Sequence, residues 1–234
     1  MKNQYVGDIN DYVKYSLLRT LASIGRFDVG VCWMRTSDDG RSDGGKTGYL
    51  GKPDQWRAFH PELFDALSQI VLNDRRRSLR SLETRRIVPS ARYFSRLLTD
   101  TNRESYFERA ESALNEANLV FFDPDNGMEV PSIPIGRRGS SKYLYWSELS
   151  RFVGAGHSVL VFQHFPRMER KKFVTLSTKK FRRMLGATRI YSIASSNVVY
   201  LLLPQERHRE AIAAAVEEFR RRWRSNISIN ECRS

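Results

Sequence analysis

The sequence has only two cysteines among its 234 residues, Cys32 and Cys232. One lies in an apolar segment and the other in a polar C-terminal stretch, so they supply neither a disulfide framework nor the clustered thiols of a zinc site. No apolar run approaches the roughly 18 residues that a membrane-spanning helix needs, and the opening Met-Lys-Asn-Gln-Tyr has no signal-peptide character. We therefore expect a soluble cytoplasmic protein without a membrane partner.

The chain also has no linker rich in serine, glycine or proline that would separate two halves, each with its own core. Hydrophobic residues make up 41% of the composition and aromatic residues 12%, which is enough to build a core of domain size. We predict a single domain over residues 1–224 and a flexible tail over residues 225–234.

Acidic residues are scarce relative to basic ones, and the formal net charge is +13. Much of the excess lies in residues 167–183, where Glu169 is the sole acidic residue. Clustered cations suit a phosphate backbone, because neutralising phosphates releases condensed counterions. The alternative is a solvated basic surface that serves solubility. Under the first interpretation the nucleic-acid-binding residues are Arg167, Arg170, Lys171, Lys172, Lys179 and Lys180.

Hydrophobic spacing predicts an α/β fold. Residues 8–24 have helical spacing, whereas residues 119–123 and 159–163 are continuous apolar runs, as expected of central parallel strands that are covered on both faces. Residues 189–193 and 198–203 are joined by too short a link for a parallel crossover, so they must form an antiparallel hairpin. The pattern indicates a three-layer protein with a mostly parallel central sheet and a C-terminal antiparallel hairpin.

Polar residues follow both predicted central strands. Asp123-Pro124-Asp125-Asn126 ends the first, and Gln163-His164 ends the second. Ligands of open α/β sheets bind at the carboxyl ends of strands, so we predict a catalytic site formed by Asp123, Asp125, Asn126 and His164. These groups could accept protons or hydrogen-bond a base edge, and Asp123, Asp125 and His164 could instead hold Mg or Mn. The alternative is a capped turn beside a structural histidine.

The segment Gly40–Thr47 matches the phosphate-loop pattern G-x-x-x-x-G-K-T. A working phosphate loop needs its lysine and threonine to open a helix, yet residues 48–53 are rich in glycine and proline. A flexible substrate loop is the other interpretation of this segment.

Several short motifs together suggest a family. Gly7, Asp11 and Lys14 form a G-x-x-x-D-x-x-K pattern, Phe122-Asp123-Pro124 ends a buried strand, and a hairpin closes the domain. With Lys46-Thr47-Gly48-Tyr49-Leu50 and Ile87-Val88-Pro89-Ser90, these motifs resemble those of the bacterial large-ribosomal-RNA adenine-N6 methyltransferases. The terminal hairpin is also characteristic of the class I S-adenosylmethionine-dependent methyltransferase fold.

The resemblance implies a Rossmann-like methyltransferase fold and an S-adenosylmethionine cofactor. It gives Asp123 and the carbonyl of Pro124 the role of accepting hydrogen bonds from an adenine amino group. Asp125 and Asn126 stand where the family has a second proline and a stacking aromatic residue, and Tyr15 stands where it has histidine. The cofactor-binding positions that it implies are Gly7, Lys14, Tyr15, Ser90 and Pro124.

The leading hypothesis is therefore a methyltransferase-like protein that acts on nucleic acid. A metal-dependent phosphodiesterase or nuclease is the first alternative, in which Asp123, Asp125 and His164 hold the cation and Lys14 assists. The second alternative is a non-catalytic nucleic-acid-binding module of the same fold.

Overall fold

The computed structural model of the chain describes residues 1–38, 45–73, 77–224 and 226–233. Its centre is a sheet of seven strands in the order β2-β1-β3-β6-β8-β7-β9, beside which β4 and β5 form a small parallel pair. The strands are β1 (Val29–Cys32), β2 (Arg92–Phe94), β3 (Leu119–Phe122), β4 (Gly127–Met128), β5 (Tyr143–Leu144), β6 (Ser158–His164), β7 (Arg189–Ala194), β8 (Val198–Leu203) and β9 (Ser228–Arg233).

Helices connect these strands and cover the sheet. They are α1 (Ile9–Ser23), α2 (Pro53–Trp56), α3 (Pro61–Ser68), α4 (Leu79–Thr84), α5 (Arg103–Leu114), α6 (Trp146–Gly154), α7 (Arg170–Leu185) and α8 (Arg209–Arg222). A single π-helical turn, Gln69–Asn73, follows α3. None of the described helices has the length and apolar character needed to cross a bilayer.

Two hydrophobic cores lie on opposite faces of the sheet. One packs α1, α3, α4 and α8 against alternate residues of the central strands, such as Phe121 and Leu160. The other packs α5, α6 and α7 against the intervening residues, such as Phe122 and Val161. Both faces of β3 and β6 are therefore buried, which explains why these strands are apolar without alternation. The fold is α/β, and its mixed sheet is mostly parallel.

The two central strands that the sequence predicted are neighbours. β3 and β6 are parallel, with Leu119 paired to Ser158 and Phe122 to Val161. Their carboxyl ends consequently lie at one edge of the sheet, which brings the residues after Phe122 close to those that end β6. The predicted first helix is also present as α1, and its N-cap Asp8 accepts a hydrogen bond from the backbone N–H of Asp11 at 2.9 Å.

The C-terminal hairpin is confirmed, but the predicted tail is wrong. β8 runs antiparallel to both β6 and β7, as the short link between β7 and β8 requires. The segment predicted as a flexible tail instead forms β9, which pairs antiparallel with β7. Ile229 of β9 packs against the core, and Glu231 forms an ion pair with Arg189 at 3.0 Å. A strand at the sheet edge tolerates many polar residues. Because β9 is polar, its sequence did not indicate a strand.

Candidate functional site

A cavity of about 270 Å³ opens where the carboxyl ends of β3 and β6 meet the N-terminus of α1. The segment after β3 forms one wall, and the first turn of α1 forms the opposite wall. The lining residues are Met1, Tyr5, Asp8, Asn10, Asp11, Lys14, Lys46, Asp123, Pro124, Asp125, Asn126, Phe162 and His164. The structure thus brings together the four predicted catalytic residues and two of the predicted cofactor residues, Lys14 and Pro124.

Gly7 turns the chain into α1 so that acidic side chains face this cavity. Its φ of +79° lies in the left-handed region that favours glycine, and its N–H donates to Oδ2 of Asp11 at 2.9 Å. Asp8 caps the helix from the preceding position. Burial, with a further contribution from the charge of Asp11, raises the pKa of Asp8 to about 7. Asp8 can therefore exchange a proton near neutral pH.

Lys14 connects the two walls of the cavity. Its Nζ lies 2.7 Å from Oδ1 of Asp11 and 2.8 Å from Oδ2 of Asp123. The side chains of Lys14 and Asp123 are only 2% and 3% exposed, so this ion pair has lost most of its hydration. Burial lowers the pKa of Lys14, but the two carboxylates more than offset it, and the net direction is upward. Lys14 therefore stays charged and fixes the carboxylate of Asp123 in place.

Asp125 is held by a different cation. Its Oδ1 lies 2.8 Å from the α-amino group of Met1, and its Oδ2 accepts a hydrogen bond from the hydroxyl of Thr36 at 2.5 Å. The same amino group also donates to the carbonyl of Asp123 at 3.0 Å. Burial alone would raise the pKa of Asp125, but the charge of the amino group and these hydrogen bonds lower it overall. Asp125 is therefore ionised at neutral pH.

His164 lies at the rim of the cavity, with its ring edge-on to Phe162 at a centroid distance of 4.9 Å. Partial burial lowers the pKa of the imidazole, and the nearby charge of Asp123 opposes this effect without reversing it. The ring is consequently neutral at pH 7. A neutral imidazole has one nitrogen free to accept a proton.

A second cavity of about 350 Å³ adjoins the first and shares Asn126 and His164 with it. Its walls are rich in aromatic rings and include Lys180 from the basic helix α7. The side chain of Gln163 helps shape the boundary, because its Oε1 accepts from the N–H of Met128 at 2.7 Å and its Nε2 donates to the carbonyl of Asn126 at 3.3 Å. The aromatic residues that line this cavity are Tyr143, Trp146, Phe165, Phe173 and Phe181.

Three predicted cofactor residues lie outside the cavity. Ser90 is exposed just before β2, at the amino edge of the sheet and so on the side opposite the candidate cavity. Tyr15 is fully buried behind Lys14, with its ring edge-on to Trp33 at 6.1 Å. Gly7 acts through its backbone conformation and does not line the cavity. Sequence resemblance alone could not distinguish the two edges of the sheet.

The sequence did not mark several other residues that form or support the two cavities. Thr36 and the aromatic cavity residues Trp146 and Phe165 are distant in sequence from the motifs, and no local pattern marks them. Asp8 is the N-cap of α1, and an aspartate is common at that position whether or not it lines a cavity.

The predicted metal ligands line the same cavity but do not form a group that could hold a metal ion. In the part of the chain that the structure describes, no three side chains of His, Cys, Asp or Glu come close enough to hold a metal ion. The carboxylates of Asp123 and Asp125 are instead each paired with an amine, Lys14 and the α-amino group of Met1. A divalent cation would have to displace these amines.

The phosphate-loop pattern falls largely outside the described residues, which omit 39–44. Where the structure resumes, Lys46 lines the candidate cavity and Thr47 precedes a four-residue 3-10 turn, Gly48–Gly51. These two residues therefore do not open an α-helix of the kind that a phosphate loop requires.

The predicted nucleic-acid-binding residues lie in and before α7. All six are exposed. Glu169 caps this helix by accepting from the N–H groups of Lys171 and Lys172 at 2.8 and 2.6 Å. The cationic helix thus lies beside the aromatic cavity, to which it contributes Lys180.

No family model and no curated protein matches the chain. Among solved structures, the chain is similar to protein LPL1258 from Legionella pneumophila str. Philadelphia 1, family-model DUF519. The similarity covers 97% of this chain and 98% of that chain at 12% identity, with a TM-score of 0.45. We draw no function from a likeness of this size.

Proposed function

We propose that this protein is an S-adenosylmethionine-dependent methyltransferase with a Rossmann-like class I fold, and that it acts on nucleic acid. The observation that carries the proposal is the pair of adjoining cavities at the carboxyl edge of the sheet. One is lined by charged groups, the other by aromatic rings, and Asn126 and His164 belong to both. Such a pair suits two ligands that must react with each other.

The topology supports this fold class. The crossovers place helices on both faces of a mostly parallel sheet, and the C-terminal hairpin inserts β8 antiparallel between β6 and β7. A terminal antiparallel hairpin is characteristic of class I methyltransferases. The candidate cavity also lies where ligands of open α/β sheets bind, beyond the carboxyl ends of the strands.

The charged cavity suits the proposed cofactor. S-adenosylmethionine carries a sulfonium group, an ammonium group and one carboxylate, and it supplies an electrophilic methyl group when bound. Carboxylates attract such cations strongly where burial lowers the effective dielectric. Four acidic side chains line the cavity, of which Asp8 is about half protonated at pH 7, and they are opposed by Lys14, Lys46 and the Met1 amino group. They belong to Asp8, Asp11, Asp123 and Asp125.

The substrate needs hydrogen-bond acceptors, and the segment after β3 supplies them. Lys14 holds one oxygen of Asp123, and the residue still lines the cavity. The carbonyl of Pro124 accepts no hydrogen bond within the described part of the chain. Together they can accept two hydrogen bonds from an exocyclic amino group. The neutral ring of His164, which lines the same cavity, can take up the proton that this nitrogen loses on methylation.

The aromatic cavity provides the surface on which a base can stack. Asn126 stands where the resembling family has a stacking aromatic residue, and Trp146 and Phe165 offer aromatic rings close to that point. A base reaches such a cavity only after it leaves the helical stack. Lys180, the exposed cation that α7 contributes to this cavity, can then neutralise a neighbouring phosphate.

The test is transfer of tritium from methyl-labelled S-adenosylmethionine to RNA and to DNA, with calorimetric titration of the cofactor alone. We expect Asp123→Asn to lower transfer by roughly 10²–10³-fold, the usual effect of removing one group that stabilises the transition state. The matched control is Asp54→Asn, which makes the same chemical change at an exposed residue of α2. A melting curve of each variant shows whether it folds.

Two results would refute the proposal. The first is an absence of both cofactor binding and methyl transfer in the folded parent protein. The second is cleavage of nucleic acid that requires Mg²⁺ or Mn²⁺ and is lost in Asp123→Asn, because it would establish the nuclease alternative in place of methyl transfer.

A further inference from the structure

A third cavity continues the surface that leads away from the candidate site. It is a groove of about 850 Å³ between α7 and β9, and Phe165 lines both this groove and the aromatic cavity. The aromatic cavity in turn shares His164 with the charged one. The three cavities therefore neighbour one another from the proposed reaction centre to the C-terminal strand, and each shares a lining residue with the next.

The walls of the groove differ in charge. Arg170, Lys171 and Lys179 line it from α7. In the described chain, the ammonium groups of Lys171 and Lys179 form no hydrogen bond or ion pair. The acidic residues that line the groove are already engaged, because Glu169 caps α7 and Glu231 pairs with Arg189. The remaining β9 residues in the groove are uncharged, and they are Ser228, Asn230 and Cys232.

The junction between groove and aromatic cavity favours an unpaired base. Phe165 is half-buried there, and the guanidinium of Arg170 lies over its ring at 5.5 Å. An aromatic ring combined with a cationic groove is the usual construction of sites for single-stranded nucleic acid. In a duplex, by contrast, the bases are stacked on one another and cannot reach such a ring.

We propose that the groove between α7 and β9 binds the sugar–phosphate backbone of a single-stranded nucleic acid, whose adjoining base enters the aromatic cavity. The assignment of that base as the methylation target rests on the proposed function. The occupancy of the groove does not, and it can be measured without the methyl donor.

The first experiment separates the groove from the general charge of α7. A fluorescein-labelled single-stranded oligonucleotide is titrated against Lys171→Gln/Lys179→Gln and against Lys172→Gln/Arg183→Gln. Both variants lose two exposed cations from the same helix, but only the first pair lines the groove. We expect the groove variant to bind at least roughly tenfold more weakly than the control, with a salt slope reduced by about 1.4 for two lost phosphate contacts.

The second experiment uses Cys232 as a reporter inside the groove. Cys232 is half-buried, whereas Cys32 is fully buried and burial raises its pKa to about 11. Because the thiolate is the reactive form, a maleimide should label Cys232 selectively in the native protein. We expect the single-stranded oligonucleotide to slow this labelling several-fold, and a duplex of the same length and concentration to have little effect.

Several outcomes would overturn the proposal. Equal weakening of the two double variants would show that only the overall charge of α7 matters. Unchanged labelling of Cys232 at saturating oligonucleotide would place the strand elsewhere, even in a protein that transfers methyl groups. Stronger binding or protection by duplex, or equal protection by a poly-glutamate peptide, would assign the groove to a different ligand. Groove occupancy without methyl transfer would leave this inference standing and refute the proposed function.

Discussion

At the scale of single residues, Lys14 does most to define the candidate site. Its ammonium group is buried between Asp11 and Asp123, and it lies 5.3 Å from the ring centroids of both Tyr15 and Phe162. The pairing joins the first turns of α1 to the end of β3. A buried ion pair contributes little net stability when it forms, but removing one partner leaves the other charge without compensation.

We expect Lys14→Met to lower the free energy of unfolding by about 3–5 kcal/mol at pH 7, since two buried carboxylates lose their cation. Urea denaturation monitored by circular dichroism measures the loss. The control is Arg57→Met, which breaks an exposed pair with Asp65 and should have a much smaller effect. A Lys14→Met protein as stable as the control variant would show that water reaches this ion pair.

Asp8 should make stability depend on pH. Its pKa is about 7 in the folded protein and near 3.8 when unfolded, so the folded state binds the extra proton between these values. The contribution of Asp8 to stability is therefore complete below about pH 4 and is lost as the pH rises to 7. Asp8→Asn keeps a residue that caps helices well but cannot titrate.

We accordingly expect the stability of Asp8→Asn relative to the parent to increase with pH between 4 and 7, with a slope of about 1.4 kcal/mol per pH unit. Urea unfolding curves of the two proteins across this range measure the difference. Parallel stability profiles would mean that Asp8 is hydrated and titrates at an ordinary value.

At the scale of elements, a buried ion pair between Arg103 and Glu148 joins α5 to α6 beside the aromatic cavity. The guanidinium of Arg103 donates to both carboxylate oxygens of Glu148, at 2.7 and 2.6 Å, and to the carbonyls of Ser140 and Tyr143, both at 2.9 Å. Arg103 is only 4% exposed. Its planar group serves four acceptors at once, which a lysine ammonium could not reproduce with the same geometry. These contacts hold in place the segment that contains Tyr143 and Trp146, two residues of the aromatic cavity.

We expect Arg103→Met to cost about 3–5 kcal/mol, because Glu148 and two backbone carbonyls are left without their donor. Hydrogen exchange should rise most in residues 139–146, while β3 and β6 keep their protection until global unfolding. Double replacement of Arg103 and Glu148 by Met should be less damaging than the two single losses added together. Additive losses would contradict the proposed coupling.

At the scale of the whole molecule, the C-terminal strand β9 forms one edge of the sheet, and β2 forms the other edge. β9 covers the edge of β7 that would otherwise present unpaired backbone groups, and Ile229 adds to the core. β9 is also one wall of the groove proposed to bind nucleic acid. The C-terminal segment therefore serves both the sheet and the surface beside it.

We expect deletion of residues 226–234 to lower stability by on the order of 2 kcal/mol, from lost backbone pairing and apolar burial. For a protein of this size the melting temperature should fall by roughly 4–8 °C. The newly exposed edge should also promote self-association, visible by sedimentation velocity. Ser228→Ala, which keeps the β9 backbone, is the control, and a truncated protein that melts and sediments like this control would contradict the role of β9.

Local pattern was sufficient to predict the α/β class, helix α1, the two central strands and the C-terminal hairpin. Continuous apolar runs and a very short link permit few other structures, because burial and chain reach are local constraints. They also placed Asp123 and His164 at neighbouring strand ends. β9 was not predicted, because a polar edge strand has no strong local signal in the sequence.

Only the tertiary structure determined which charges meet. Asp123 is paired with a lysine 109 residues earlier in the chain, and Asp125 with the α-amino group of Met1. Ser90, which a motif had associated with the site, lies at the opposite edge of the sheet because it precedes a parallel strand where Asp123 follows one. Electrostatic partners and cavities depend on distances in space, and the order of residues along the chain does not encode those distances locally.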